Sequence, residues 1–527
     1  MKTLLTCLLV VVAFPGLHAQ SSVKGYVYED TNGNGKKERR EKGIAGVSVS
    51  NGIDVTITDS KGLYQLSVGE DNIIFISKPS GYKVPLNEKN QPQFYYVHKP
   101  KGHPSNYKYK GVPPTGKLPK SVDFPLTAQE DKSDFTALIF GDPQPYTQEE
   151  VEHFSRGIVD EVAGIQQVSF GLSLGDLVGD NLDLHSPYID AVQQVGIPWY
   201  NLMGNHDMNY EARYDSLSDE TYEANFGPAN YSFNYGKAHF IILDDILYPD
   251  PRDEKGYWGG FRKGQLDFIE NDLKHVDKDK LIVQAFHIPL QSNGGNTFRE
   301  QDRQRLFNLL KDFPNTLSLS AHTHLQRNNF YTGEDGWRQE KPHHEYNAGT
   351  TSGDWYSGEL DENGVPFSTM RDGTPKGYAF IHFTGNQYVI DYKAAGKPKE
   401  HQMEIYSPKV IPFGKRTSAG IYVNFFMGAK GDRVEYRIGG GDWKKMNYVE
   451  DVDPSYMALL YRWDTTDNLM PGRRPSNAVE STHLWRAGFP SDLKLGDHTI
   501  EIRATDMFGR QFTQTKTVRV QQPAETE

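Results

Sequence analysis

Five short blocks hold the residues of this 527-residue chain best equipped for chemistry: Gly141-Asp142-Pro143-Gln144, Gly175-Asp176-Leu177-Val178-Gly179-Asp180, Gly204-Asn205-His206-Asp207, His287, and Ala321-His322-Thr323-His324. Two Asp, one Asn and three His supply mixed oxygen and imidazole ligands, a set suited to first-row divalent cations. The only cysteine, Cys7, lies in the first twenty residues, so no thiolate knot competes for such a metal. A carboxylate has two oxygens and can bridge two cations. Two cations about 3.5 to 4 Å apart share a hydroxide that is nucleophilic near neutral pH and clamp the attacking and leaving oxygens of a phosphoryl group. Phosphate-ester hydrolysis makes good use of that arrangement.

Each block follows an apolar run that reads as a strand: Phe135 to Phe140, Val168 to Leu174, Trp199 to Met203, Leu281 to Phe286 and Thr316 to Ser320. Between them, Glu149 to Ile165, His185 to Val195, Gly264 to Val276 and Arg299 to Phe313 space apolar residues as helices do. Tyr231 to Leu243 and Tyr378 to Tyr392 read as antiparallel hairpins. In an α/β sheet the carboxyl ends of the strands converge on one edge, so residues far apart in sequence meet in a composite polar site.

The order and wording of the five blocks resemble the calcineurin-like metallophosphoesterases over roughly Phe135 to Tyr392. The resemblance implies an α/β/β/α sandwich and two divalent first-row metals, Mn, Fe or Zn. It implies that Asp142 and His324 hold the first metal, that Asp176 bridges, and that Asn205, His287 and His322 hold the second. His206 matches the histidine that contacts the phosphoryl group and protonates the leaving oxygen, with Asp180 or Asp207 to orient it. Three positions depart from the family pattern. Gln144 stands where many members place a second first-metal histidine, Gly179 stands where the carboxylate partner of the catalytic histidine is often found, and Ala321 replaces a glycine. Past the last ligands, His344, Trp355 and Tyr356 are candidate walls of a substrate pocket.

The flanks read differently. Val23 to about Leu126 alternates like strands, which reads as a β-sandwich over residues 21–127. Thr58-Asp59-Ser60-Lys61-Gly62-Leu63-Tyr64 resembles the strand-turn-strand of transthyretin-like and collagen-adhesin B-type (CnaB-like) domains, a resemblance that implies a structural spacer. Within the same sandwich, Asp30, Asn32, Asn34, Lys36 and Glu41 follow the twelve-residue spacing of a calcium loop, a candidate structural calcium site. Lys99 to Lys120, rich in Pro, Lys and Gly, reads as an irregular connection. The catalytic section spans 133–394, and alternation resumes over 398–522, the expected C-terminal β-sandwich. The whole arrangement resembles the exported bacterial three-domain branch of the same family, a central α/β domain flanked by two all-β sandwiches.

Residues 1–20 combine a basic start, an apolar run from Leu4 to Phe14 and a small-residue cleavage site near Ala19/Gln20, which reads as a secretory signal peptide and an exported protein, periplasmic, cell-surface or secreted. No later apolar run approaches the roughly 20 residues a membrane helix needs. The net charge of −12 disfavours nucleic-acid backbones as partners. The expected activity is therefore an exported dinuclear-metal phosphohydrolase acting on a small phosphate mono- or diester by attack of a metal-bridging hydroxide, with His206 assisting the leaving group. Two alternatives remain from the same residues: a non-catalytic surface-binding or adhesion protein on a degenerate phosphoesterase frame, and an extracellular nuclease. Oligomeric state is not encoded in any motif.

Overall fold

The computed structural model describes residues 21–291 and 296–523. Residues 1–20, the expected signal peptide, lie outside the described residues. Two four-stranded sheets form the N-terminal sandwich, one built on Ser21–Glu29 and Leu63–Val68, the other on Ser48–Ser50 and Asn72–Ile76. Alternation in Ser21–Glu29 turns Val23 and Val27 inward, beside Leu66, Val49 and Ile74.

The central domain is two sheets packed face to face. One is five-stranded, in the order Trp199–Leu202, Phe170–Leu174, Asp134–Phe140, Gly377–Thr384, Gln387–Ala394. The other is six-stranded, in the order Tyr231–Tyr235, Ala238–Ile242, Leu281–Ala285, Asn315–Ser320, His343–Asn347, Arg327–Tyr331. Rings from both faces meet between them: Tyr200 stacks on Phe233 at 4.2 Å, and Phe170 meets Phe240 edge-on at 5.3 Å. Phe170–Leu174 and Leu281–Ala285 are buried on both faces, as central parallel strands are, and read as mainly apolar runs broken by the buried Ser173 and Gln284. The helix Glu300–Leu310 sits within the stretch whose periodicity foretold it, and Lys263–Leu273 begins one residue before its own.

The C-terminal unit is a second sandwich of four and five strands around its own core of Met403, Val423, Trp485 and Ile502. It also contains a helix, Pro454–Asp464, that the alternation hid. Its signal was Asp453-Pro454: the Asp453 carboxylate caps the amides of Ser455 and Tyr456, and proline occupies the first turn.

The N-terminal sandwich is no detached spacer, for its core is continuous with that of the central domain. Phe94 meets Tyr231 at 5.0 Å and Phe75 meets Phe268 at 5.6 Å. The buried Lys78 donates to the Asn234 carbonyl at 2.7 Å. The segment Lys99 to Lys120 contains no strand, as its composition implies, yet it packs on the central domain instead of merely connecting. Lys99, buried, pairs with Glu223 at 2.6 Å and Glu220 at 2.8 Å. Tyr107 donates to the Leu217 carbonyl at 3.1 Å, and Tyr109 to the Asp180 carbonyl at 3.1 Å. Apolar and charged contacts made over a hundred residues apart leave no local trace, which is why composition alone suggested a linker.

Candidate metal centre

Parallel strands of both sheets end on one edge, and the five blocks are the turns that leave them. Asp142 and Gln144 follow Asp134–Phe140, Asp176 follows Phe170–Leu174, Asn205 and His206 follow Trp199–Leu202, His287 follows Leu281–Ala285, and His322 and His324 follow Asn315–Ser320. Turning side chains inward at these ends takes strained backbone. Among the described residues eleven non-glycine positions have positive φ, and eight of them are Asp142, Gln144, Asp176, Asp180, His322, His324, Trp355 and Tyr356. Such strain persists only where surrounding contacts over-determine it. The motif glycines make the approach possible: a Cβ on Gly204 would lie 2.2 Å from the Asp176 amide, and one on Gly175 2.6 Å from His287 Nδ1.

Asp176, His287 and His322 bring one ligand atom each to within 4.8 Å of one another. His287 Nε2 lies 3.1 Å from Asp176 Oδ2 and 3.8 Å from Asp142 Oδ1. His322 Nδ1 lies 3.2 Å from His287 Nε2. Outer partners orient the rings. His287 Nδ1 bonds the Leu174 carbonyl and His324 Nδ1 the Gly353 carbonyl, each at 2.8 Å, which frees both Nε2 atoms. Asp245, which no motif singled out, fixes the His287 turn by accepting from the amides of His287 and Ile288. The Asn205 side-chain oxygen is buried and has no hydrogen-bond partner. A hard or borderline cation fits this set: an orphaned oxygen, two buried carboxylates and imidazole nitrogens aimed at one another.

The electrostatics agree. Burial opposes charge on His287, but Asp176 and Asp142 outweigh it and push the imidazole up to about 10. Burial and the neighbouring His287 push His322 down to about 3. Burial, reinforced by Asp176, raises Asp142 well above the carboxylate range. The carboxylates thus draw positive charge into a fully buried place.

Two carboxylates were candidates to orient His206, and the structure separates them. Asp180 Oδ1 lies 2.6 Å from His206 Nδ1, and it also accepts from the Tyr210 hydroxyl at 2.9 Å. Asp207 points elsewhere, contrary to the sequence expectation that allowed it this role. It is fully buried and accepts from the amides of Gly204, Leu177 and Val178, with His185 Nε2 at 3.2 Å. It ties the Asp176 and Asn205 turns together.

The Gln144 oxygen accepts from the Trp355 indole at 2.8 Å, and that indole stacks on His324 with ring centroids 4.1 Å apart. Tyr356 donates to the Pro143 carbonyl from a buried position, holding the first turn from behind. His344 is a correction to the pocket expectation. It lies inside the strand His343–Asn347, its ring nitrogens occupied by Tyr388 at 2.8 Å and Asn328 at 3.0 Å, packed rather than facing a substrate. Sequence reasoning passed over Tyr146, 5.9 Å from the His206 ring, and Tyr257, 6.1 Å from His322. It also passed over Arg473 of the C-terminal unit, which donates to the Trp355 carbonyl. Lone tyrosines and arginines carry no spacing signal.

In the N-terminal loop, Asp30 accepts from Gly33 and Gly35, Asn32 from Asn34, Asn34 from Lys36, and Glu41 from Thr31 and Glu38. The side-chain oxygens of Asp30, Asn32, Asn34 and Glu41 thus accept from amides of their own loop.

Comparison with known proteins gives the class: the two-sheet domain matches a metal-dependent phosphoesterase family. Three family models match in succession: the N terminal of calcineurin-like phosphoesterase over 31–113, calcineurin-like phosphoesterase over 135–326, and the C terminal of calcineurin-like phosphoesterase over 345–512. The chain belongs to the calcineurin-like phosphoesterases. Serine-aspartate repeat-containing protein C of Staphylococcus aureus, strains Newman and USA300, is 50% identical over 66 residues, covering 11% of this chain and 7% of that protein. The chain therefore spans a small fraction of the curated relatives it matches. Among solved structures, purple acid phosphatase PPD1 from yellow lupin (Lupinus luteus) seeds aligns with 72% of this chain and 68% of its own, at 11% identity and a TM-score of 0.35. GAP50, the anchor in the inner membrane complex of Plasmodium, aligns with 50% and 86%, at 19% identity and a TM-score of 0.31. Among the described residues no helix is long and apolar enough to cross a membrane.

Proposed function

We propose that this chain is an exported dinuclear-metal phosphohydrolase that cleaves a small phosphate mono- or diester, with His206 assisting departure of the leaving oxygen. The observation that carries the reading is the His206 imidazole, held by Asp180 at 2.6 Å, with its backbone amide donating to Asp176 at 2.9 Å, beside the carboxylate and imidazole cluster. Asp142, Gln144 and His324 would hold one ion, Asn205, His287 and His322 the other, and Asp176 both. When bound, divalent ions such as Mn, Fe or Zn supply Lewis-acid polarisation of a phosphoryl oxygen and a nucleophile from water near neutral pH.

The chain's own residues do the rest. With Nδ1 bonded to Asp180, His206 presents Nε2 to the ester, donating a proton to the leaving oxygen as the P–O bond breaks, a role worth roughly 10²- to 10⁴-fold. The Asp180 carboxylate fixes the ring. Tyr146 and Tyr257 stand beside His206 and His322, and Trp355 covers His324, giving the reacting centre apolar walls. Export rests on the apolar leader sequence.

The test is elemental analysis of the purified protein together with hydrolysis of aryl phosphate mono- and diesters, with and without added manganese, for wild type and His206→Ala. About two metals per chain with ester turnover, lost in His206→Ala while the metals stay, supports the reading. Full turnover in His206→Ala refutes its role, and a wild-type protein that binds no metal and cleaves neither ester refutes the hydrolase.

A further inference from the structure

Asp180, the residue that orients His206, adopts a left-handed backbone conformation with φ of 61° and is half exposed. A non-glycine residue holds that conformation only when its surroundings fix it. Its carboxylate is fixed by His206 and Tyr210. Its backbone is fixed by another domain: the Tyr109 hydroxyl donates to the Asp180 carbonyl at 3.1 Å and reaches the Asn181 side-chain oxygen at 3.4 Å. Tyr109 is itself buried, and its oxygen accepts from Lys108 Nζ at 2.6 Å, so a cation polarises the hydroxyl toward the Asp180 carbonyl. The same irregular segment is anchored twice more ahead of this contact. Lys99 is paired with Glu220 and Glu223 at the start of the helix Glu220–Phe226, and Tyr107 is bonded to Leu217.

We propose that the N-terminal domain is part of the catalytic apparatus, with Tyr109 as a positioning residue that sets the Asp180 turn and through it the His206 imidazole. The inference rests on the role given to His206 above. It requires no contact between Tyr109 and substrate. Its consequence is specific: loss of the Tyr109 hydroxyl should impair proton delivery to the leaving oxygen and leave binding of the phosphoryl group intact.

Leaving-group dependence reads that consequence. An aryl oxide departs without much help from an acid, whereas an alkoxide needs the proton. The full-length protein and its Tyr109→Phe, Asp180→Asn, His206→Ala and Tyr107→Phe variants are assayed on 4-nitrophenyl and ethyl esters of equal phosphate charge. Tyr109→Phe should lose roughly three- to tenfold in kcat on the ethyl ester, the worth of one hydrogen bond, with KM and metal content unchanged. The aryl-to-ethyl ratio should therefore rise, as it should in Asp180→Asn and His206→Ala. The ratio cancels any loss of folded protein. In Tyr107→Phe, whose hydroxyl meets the Leu217 carbonyl and not the Asp180 turn, the ratio should stay at the wild-type value. On a His206→Ala background, Tyr109→Phe should change the ratio no further. An unchanged ratio in Tyr109→Phe, beside a raised one in Asp180→Asn, overturns the proposal while leaving the hydrolase reading intact. Failure of the wild type to cleave either ester overturns both.

Discussion

Asp180 and Asp207 lie within a few residues of the same candidate metal ligands, yet their surroundings give them different partners, and two isosteric substitutions separate the roles proposed for them. In Asp207→Asn one oxygen becomes an NH2 group. The Oδ2 atom serves the amides of Gly204 and Leu177, and Oδ1 serves Val178 and His185, so either rotamer turns a donor against two donors. Two buried donors left unpaired cost about 2 to 6 kcal/mol, which lowers the melting temperature of the catalytic domain by roughly 5 to 20 °C. Asp180 has a side chain 50% exposed, so Asp180→Asn should leave the melting temperature within about 2 °C. It nevertheless loses the charged partner of Nδ1, and kcat on an alkyl ester should fall roughly tenfold. Thermal unfolding and steady-state kinetics on the same preparations make the comparison. A stable Asp207→Asn protein that has lost turnover, or an Asp180→Asn protein destabilised by several degrees, would refute the assignment of the two carboxylates.

Further outcomes follow from the domain contacts. Burial pushes the Lys78 ammonium down to about 7, with Asp131 opposing and Lys280 adding to the effect, so between that value and 10.5 the unfolded chain binds a proton that the native one does not. The stability of wild type relative to Lys78→Met should therefore rise with pH across that window by up to about 1.4 kcal/mol per unit, measured by denaturant unfolding; a flat difference contradicts it. Lys99→Met strands Glu220 and Glu223 in the interface and should cost about 3 to 5 kcal/mol, with the 99–120 segment becoming the first site of limited proteolysis; wild-type resistance there would show that the ion pairs do not hold the segment. For the N-terminal loop, calcium at about a hundred times its dissociation constant should add roughly 2.7 kcal/mol to that domain, an effect Asp30→Ala abolishes; no thermal shift with calcium argues for a self-satisfied turn.

The chain's alternation and periodicity are enough to locate the five strands and four helices that carry the site, because a strand buried on both faces and a helix buried on one impose patterns that neighbours in sequence must obey. Residue types in the five turns likewise define a metal-ligand set, since few side chains combine hard oxygens with imidazole. Which partner each of these groups meets depends on contacts between distant residues. Asp180 faces His206 because a left-handed turn swings it outward, while Asp207 is consumed by amides that only the folded turns bring near. The Gln144 oxygen faces an indole 211 residues away, and Asp180 leans on a tyrosine 71 residues before it in a different domain. A hydrogen bond depends on ångström-scale approach and leaves no periodicity in either partner's neighbourhood. The chain therefore states which side chains are available for chemistry, and the tertiary fold decides which partner each of them meets.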